Sequence, residues 1–264
     1  IFNTPQSRSL KTVPLSSGHL HVSFWGRLDR RAALITALDI KGDAHDITDH
    51  SLILRGWEQW GEQITQHIIG DFALAVIDTK SDKVFLARDP MGVKPLYYIH
   101  NEDGLFFAST VGALLKIPNV KASPDPEWMM RFLVRQSVNT KTTAYKEIKK
   151  LAPAHTLKLC RGALTLKRYH HWRDDAPFAK AQNSQWVDDY KAVLGTVIRD
   201  QSQSDYRLGV ENSGGLDSAT IAAFLAAITD NTADDLYSFG YATLKDEAAH
   251  IASVNQSAAI THNF

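Results

Sequence analysis

Apolar and polar positions alternate through Leu20–Trp25 (LHVSFW), the period of a half-buried strand. Arg30–Leu38 (RRAALITAL) and Ser51–Trp60 (SLILRGWEQW) repeat their apolar positions at helical spacing. Phe72–Asp78 (FALAVID) and Lys83–Arg88 (KVFLAR) read as strands joined by the polar turn Thr79-Lys80-Ser81-Asp82. Leu96–His100 and Leu105–Ser109 form a second pair across Asn101-Glu102-Asp103-Gly104, where Gly104 supplies a positive φ. Short helices are predicted over Val111–Ile117 and Trp128–Val134. A third strand pair, His155–Leu159 with Ala163–Leu166, turns at Arg161-Gly162. Antiparallel strands with helices between them predict an α+β domain of stacked antiparallel sheets, in two or four layers.

The character changes after Trp172. Arg173 to Gln185 (RDDAPFAKAQNSQ) is polar and contains a proline, so residues 1–173 are taken as one domain and 174–185 as a linker. Residues 186–264 are taken as the start of a second domain. Trp186–Gln203 has apolar positions at helical spacing, and Arg207–Glu211 and Leu236–Gly240 are short apolar strands. Between those strands, Asp217–Ile228 (DSATIAAFLAAI) reads as a buried helix. Strand, helix and strand in that order predict the beginning of an α/β parallel-sheet nucleotide-binding domain.

The loop between the first strand and the helix is Ser213-Gly214-Gly215-Leu216-Asp217-Ser218. Small residues at a strand-to-helix turn let main-chain N–H groups approach a polyanion, and the helix N-terminus adds partial positive charge. The Ser213 and Ser218 hydroxyls donate to phosphate oxygens. Asp217 cannot, so its expected task is to hold a divalent metal against the phosphates. Such a grouping suits a nucleotide cleaved to release pyrophosphate. It is not a Walker loop, which needs G-x-x-x-x-G-K-[ST].

Composition narrows the remaining classes. The chain has 264 residues, 44% apolar and 22% charged, with a formal net charge of zero. Neutrality argues against nucleic acid or an anionic membrane as a partner. The apolar runs are too short to span a bilayer and no signal peptide opens the chain, so a cytoplasmic protein is expected. A single cysteine, Cys160, excludes an internal disulfide framework and a cysteine-based zinc cluster. His19 and His21 share one face of a strand, but no carboxylate at ligand spacing supports a metal there. Ile1 at one end and a parallel sheet barely begun at the other predict an interior piece of a longer protein.

The six-residue loop resembles the pyrophosphatase loop, SGGLDS, of ATP-dependent adenylating enzymes related to asparagine synthetase. The order of the other segments resembles that family too. Gly70–Asp78 (GDFALAVID) is similar to its G-x-F-A-x-A-x-x-D strand, and Ala87–Tyr98 (ARDPMGVKPLYY) to its RDxxGxxPLYY turn, with Phe107-Ala108-Ser109 following as FAS. Leu151-Ala152-Pro153-Ala154-His155 is similar to its LPPGH segment. The resemblance implies an N-terminal glutaminase (class II amidotransferase) domain joined to an adenylating domain. It makes Arg88 and Asp89 scaffolding, with Arg88 paired to a carboxylate and Pro95 fixing a bend. It places Ser213, Gly214, Gly215, Asp217 and Ser218 at a pyrophosphate and Mg2+ site, with Asp217 the metal ligand and catalytic residue. Phe239 and Gly240 fall where the family's backbone meets adenine. Asp246-Glu247 fits either the family's D-E pair or a solvated helix start.

On the glutaminase side the resemblance implies impairment. The family's nucleophile is a cysteine at the mature N-terminus, and Cys160 lies on a predicted strand instead. Trp25-Gly26-Arg27-Leu28-Asp29-Arg30 aligns with the family's N-G-E-I-Y-N, whose Asn and Gly form an oxyanion hole and whose Glu meets the ammonium of glutamine. Trp25 does not donate as that Asn does, and Arg27 would repel an ammonium. Asp49 stands at the other ammonium-binding position. This pattern is similar to family members that make amides without glutamine, such as β-lactam synthetase and the lasso-peptide macrolactam synthetases. The implied function is an ATP-dependent ligase that adenylates a small-molecule or peptide carboxylate for attack by an amine. The favoured case is macrolactam formation on a precursor peptide, with its processing protease as a further partner. A glutamine-hydrolysing asparagine synthetase and a non-catalytic ATP-binding relative are the alternatives.

Overall fold

The computed structural model describes residues 14–41, 47–118, 120–136, 140–172, 183–204, 206–228, 236–240, 245–260 and 262–263. The chain divides into two compact units, one within Leu10–Trp172 and one drawn from Arg173–Phe264.

The first unit holds two antiparallel sheets. Strands β1 (Leu15–Ser17), β2 (Leu20–Asp29), β3 (Ile69–Asp78), β4 (Lys83–Arg88), β8 (His155–Cys160) and β9 (Ala163–Arg168) follow one another across a six-stranded sheet. A three-stranded sheet has the order β6 (Gly104–Ala108), β5 (Tyr97–Asn101), β7 (Lys149–Lys150). The alternation in FALAVID sorts residues by size. Helix α1 (Arg31–Ala37) follows β2, and Phe72, Leu74 and Val76 face helix α2 (Asp49–Trp60), meeting Leu52, Ile53 and Trp57 in one core. Ala73 and Ala75 point the other way, toward Tyr98 of the second sheet and toward Leu96 and Leu151, which flank its strands. Small side chains on that face let the sheets lie close. The outer face of the second sheet packs Ile99 against Leu114 of α3 (Val111–Leu114) and against Ile148. Of the two expected layerings, the order is therefore helix, sheet, sheet, helix.

Two boundaries differ from expectation for local reasons. Helix α2 begins at Asp49 instead of Ser51 because the Thr48 hydroxyl caps it, accepting from the Ser51 N–H at 3.1 Å. Strand β2 runs past Trp25 to Asp29, because Gly26, Arg27 and Leu28 pair with Phe72, Asp71 and Gly70. The two backbones approach so closely there that a Cβ on Gly26 would lie 2.1 Å from the Asp71 carbonyl oxygen. Helix α4 (Pro126–Leu133), capped by Asp125, is present where a helix was expected, but Met130, Phe132 and Leu133 are exposed.

The turn after β4 is built on two buried ions. Arg88 donates to the carbonyls of Lys94 and Leu151, each at 2.7 Å, and to that of Gly92. These hydrogen bonds correct the expectation of a carboxylate partner: the guanidinium staples main-chain carbonyls of segments far apart in sequence. Asp89, fully buried, accepts from the N–H groups of Val93 and Lys94 at 2.9 and 3.0 Å.

His50, buried on α2, accepts the Phe24 N–H through Nε2 at 3.3 Å. Burial pushes its pKa below the ordinary 6.5, while neighbouring Asp49 opposes that shift. The unfolded chain therefore binds a proton that the folded chain refuses. Stability contributed by the neutral ring is full above about pH 6.5 and is lost as pH falls below it. We expect urea unfolding of the protein to show this loss between pH 7.5 and 5.5, and His50→Gln to flatten that part of the curve. An unchanged slope in the variant would place the titration elsewhere.

In the second unit, β10 (Leu208–Glu211), β11 (Leu236–Phe239) and β12 (His262–Asn263) form a parallel sheet. Its core joins Val210, Leu236 and Ile260 to Ala222, Leu225 and Ala226 of α6 (Leu216–Ile228) and to Ile198 of α5 (Asn183–Gln201). Helix α5 starts inside the expected linker, so 183–185 belong to the helix; residues 173–182 lie outside the described residues. Helix α6 was expected to be a buried helix. Among the described residues only one side is covered, with Leu216 and Ile221 exposed. Asp246-Glu247 sits in the first turn of α7 (Lys245–Ser257). No helix among the described residues is long and apolar enough to cross a membrane.

Candidate active site

The loop at 213–218 leaves the C-terminal end of β10 and turns directly into α6. Gly214 has φ +74°, and a Cβ there would lie 2.7 Å from Cβ of His250, so the position suits glycine twice over. The two serines lock the turn: their hydroxyl oxygens are 3.1 Å apart, the Ser213 N–H donates to Ser218 Oγ at 3.2 Å, and Ser218 Oγ donates to the Gly215 carbonyl at 3.2 Å. Ser213, Gly215 and Asp217 are exposed, and Leu216 is 84% exposed. The first N–H groups of α6 have no partner within the helix and open on the same surface. Main-chain donors, two hydroxyls and a helix N-terminus meet here, which is the chemistry of a polyphosphate site.

Beneath the loop lies a residue pair that sequence reasoning did not assemble. Asn212 is buried; its Oδ1 accepts the Gly214 N–H at 3.0 Å, and its Nδ2 donates to Oδ1 of Asn255 on α7 at 3.1 Å. Its own N–H donates to the Phe239 carbonyl at 2.8 Å. One side chain thus ties the loop to the next helix, while its main chain ties it to the next strand. Only the polarity of Glu211-Asn212 at the end of a short strand signalled it; Asn255 lies 43 residues away with no local mark. Asn212→Ala is expected to cost about 1–3 kcal/mol through the orphaned Gly214 N–H and Asn255 side chain. It should also speed amide exchange at Gly214 about tenfold or more, as loss of a net hydrogen bond implies. Unchanged exchange there would show that the brace does not hold the loop.

Phe239 ends β11 half-exposed, and Gly240 follows at once. A Cβ on Gly240 would lie 2.8 Å from the Asn212 carbonyl oxygen, so both expected adenine positions stand against the base of the loop. Asp217 is a lone candidate ligand: no group of three or more His, Cys, Asp or Glu able to hold a metal occurs among the described residues. One carboxylate beside the expected phosphate site would suit Mg2+, which keeps waters and takes substrate phosphates for the rest of its shell.

In the first unit, the structure brings Trp25, Gly26 and Arg27 together at the end of β2 but with altered chemistry. Arg27 is a paired ion. It forks onto Asp29, at 2.6 Å from Nε and 3.1 Å from Nη2, and reaches Asp71 at 3.0 Å across the strand pair. Its charge is thereby offset, so the expected repulsion of an ammonium is weaker than a bare cation would give. Asp49, expected to offer a carboxylate to an ammonium, accepts instead from Arg31 Nε at 2.7 Å. Arg31 also donates to the Ile47 carbonyl. Trp25 is 44% exposed, with the Lys94 ammonium 4.9 Å from its ring centroid. His21 lies on β2 and turns to Ser16, whereas His19, expected on the same strand, lies in the turn before it and faces Asp78.

Stacked antiparallel sheets followed by a parallel strand, an SGGLDS loop and a helix define a class II amidotransferase-type domain joined to the opening of a synthetase domain. Residues 14–170 match the family model of a glutamine amidotransferase domain, and residues 189–264 match that of asparagine synthase. The chain belongs to the asparagine synthetase family. It is 31% identical over 180 residues to asparagine synthetase (glutamine-hydrolyzing) 3 of Bacillus subtilis (strain 168), covering 68% of this chain and 29% of that protein. It is 25% identical over 211 residues to a putative asparagine synthetase (glutamine-hydrolyzing) 2 of Methanocaldococcus jannaschii, covering 78% and 41%. To the amidase chry2 of Gibberella zeae it is 27% identical over 184 residues, covering 68% and 26%. The chain spans well under half the length of each of these relatives.

Proposed function

We propose that the protein to which this chain belongs is an ATP-dependent carbon–nitrogen ligase that releases AMP and pyrophosphate. The observation that carries this reading is the 213–218 loop: a braced turn, a positive-φ glycine and an open helix N-terminus with Asp217 in its first turn. In this reading a substrate carboxylate oxygen attacks the α-phosphorus of ATP, and the bond to the β,γ-diphosphate breaks. Loop N–H groups and the Ser213 and Ser218 hydroxyls receive the departing charge. Asp217 would hold Mg2+, which supplies further charge neutralisation. An amine then attacks the activated acyl carbon, AMP leaves with the acyl oxygen, and the amine gives up its proton.

We further propose that the amine is not ammonia drawn from glutamine in the usual pocket. The support is the paired state of both candidate ammonium-binding positions, Arg27 with Asp29 and Asp71, and Asp49 with Arg31. The favoured substrate is a precursor peptide whose own amine attacks, giving a macrolactam after a processing protease frees that amine. Holding both groups on one molecule replaces delivered ammonia by high effective concentration. A second reading, glutamine-hydrolysing asparagine synthesis, is favoured by the names of two of the three relatives above. The two separate on glutamine labelled with 15N in its amide: the complete protein is expected to transfer no label to product and to release no glutamate. Label in asparagine would select the second reading.

A further inference from the structure

At one end of the two stacked sheets in the first unit is a cavity of about 180 Å3. Lys150 of β7, His155 at the start of β8, Arg168 at the end of β9 and Lys141 line it, together with the buried ring of Tyr98. Leu151 and Leu166 form apolar wall. None of these residues belongs to the glutamine positions or to the 213–218 loop.

Strand pairing sets the geometry. His155 lies directly opposite Arg168 in the β8–β9 register, and Tyr97 lies opposite Lys150 between β5 and β7. The Lys150 N–H donates to the Lys141 carbonyl at 3.0 Å, which brings the second lysine to the same place. The His155 Nδ1 gives its hydrogen to the Pro153 carbonyl at 2.7 Å, which leaves Nε2 for another partner. Arg168 uses Nε on the His170 carbonyl at 2.9 Å, which leaves the two terminal nitrogens of its fork.

Among the described residues lining the cavity none is a carboxylate, although the chain as a whole is neutral. The Lys150 ammonium sits 6.0 Å from the Tyr97 ring centroid and has its pKa lowered by burial and by nearby Arg88. A half-buried cation among other cations is costly unless a negative partner is supplied. A concave site with several convergent cations and one apolar wall is the form that recognises a small oxyanion.

We propose that this cavity binds a small oxyanion, phosphate or carboxylate, held by Lys150 and the free end of Arg168 with Lys141 and His155 in support. The proposal is independent of the ligase reading, because it uses no residue of the loop. The test is isothermal titration of the complete protein with inorganic phosphate and, separately, with succinate, at ionic strength held constant with potassium chloride. Saturable binding is expected for at least one of the two, and the stronger identifies the source. Lys150→Gln with Arg168→Gln should weaken it at least tenfold, while Arg168→Lys keeps part of it. A second measurement guards against a fold defect: the same anion should raise the melting temperature of the protein and not that of the double variant. Absence of saturable binding by both anions would overturn the site. So would binding that is unchanged in the double variant, since that anion would then sit elsewhere, for instance on the 213–218 loop.

Discussion

Replacing Asp217 by alanine in the complete protein is expected to lower ATP–pyrophosphate exchange by about a thousandfold, the scale of losing a central electrostatic group in a polar transition state. The carboxylate is exposed in the first turn of α6, and no hydrogen bond within the described residues depends on it. Its structural contribution is limited to the favourable placement of a negative charge at a helix N-terminus, about 0.3–1 kcal/mol. Activity should therefore collapse while the unfolding curve barely moves. Asp217→Asn, which keeps shape but halves the oxygen donors and removes the charge, should lie close to alanine. Full exchange activity in either variant would remove Asp217 from the proposed metal-holding role.

The largest stability loss is expected from Asp89→Ala, about 3–5 kcal/mol, the range for removing one partner from a buried ionic arrangement. Two effects add. The N–H groups of Val93 and Lys94 lose their acceptor in a fully buried turn. Buried Arg88 loses the neighbouring negative charge that opposes its desolvation. Arg88 in turn holds the carbonyls of Lys94 and Leu151, so the turn after β4 and the approach to β8 should loosen together. Chemical denaturation measures the effect, and a loss below about 1 kcal/mol, the typical surface value, would show that the turn does not depend on its ions.

What the sequence made legible was whatever repeats locally. The apolar run through Phe72–Asp78 marked a strand, and the structure shows that its larger residues, Phe72, Leu74 and Val76, meet a helix while Ala73 and Ala75 meet a sheet. Gly104 takes the positive φ, +128°, that its turn required. The 213–218 loop declared its own geometry because glycines and serines at a strand-to-helix turn have few other uses. Family membership was legible for the same reason, as short motifs in a fixed order.

What stayed hidden were pairings between distant residues. Nothing around Asp49 indicates that Arg31, 18 positions earlier, closes on it, and nothing around Asn255 points to Asn212. Arg27 read as a bare cation although Asp29, two residues along the same strand, takes its fork; its other partner, Asp71, lies on the neighbouring strand. Helix α6 was misjudged for a different cause: its sequence is apolar all round, so periodicity cannot say which side is covered. Those long-range pairs are what alter the chemistry of the candidate glutamine pocket, so the substrate question rests on features invisible to local pattern.

The most direct measurement is ATP–pyrophosphate exchange by the complete protein, with ammonia and glutamine absent, first with aspartate and then with linear peptides carrying an Asp or Glu side chain. Exchange that requires a peptide and is silent with aspartate is the expected result. Exchange supported by aspartate would contradict the peptide reading and return the protein to asparagine synthesis, with Arg27 and Asp49 re-pairing around glutamine.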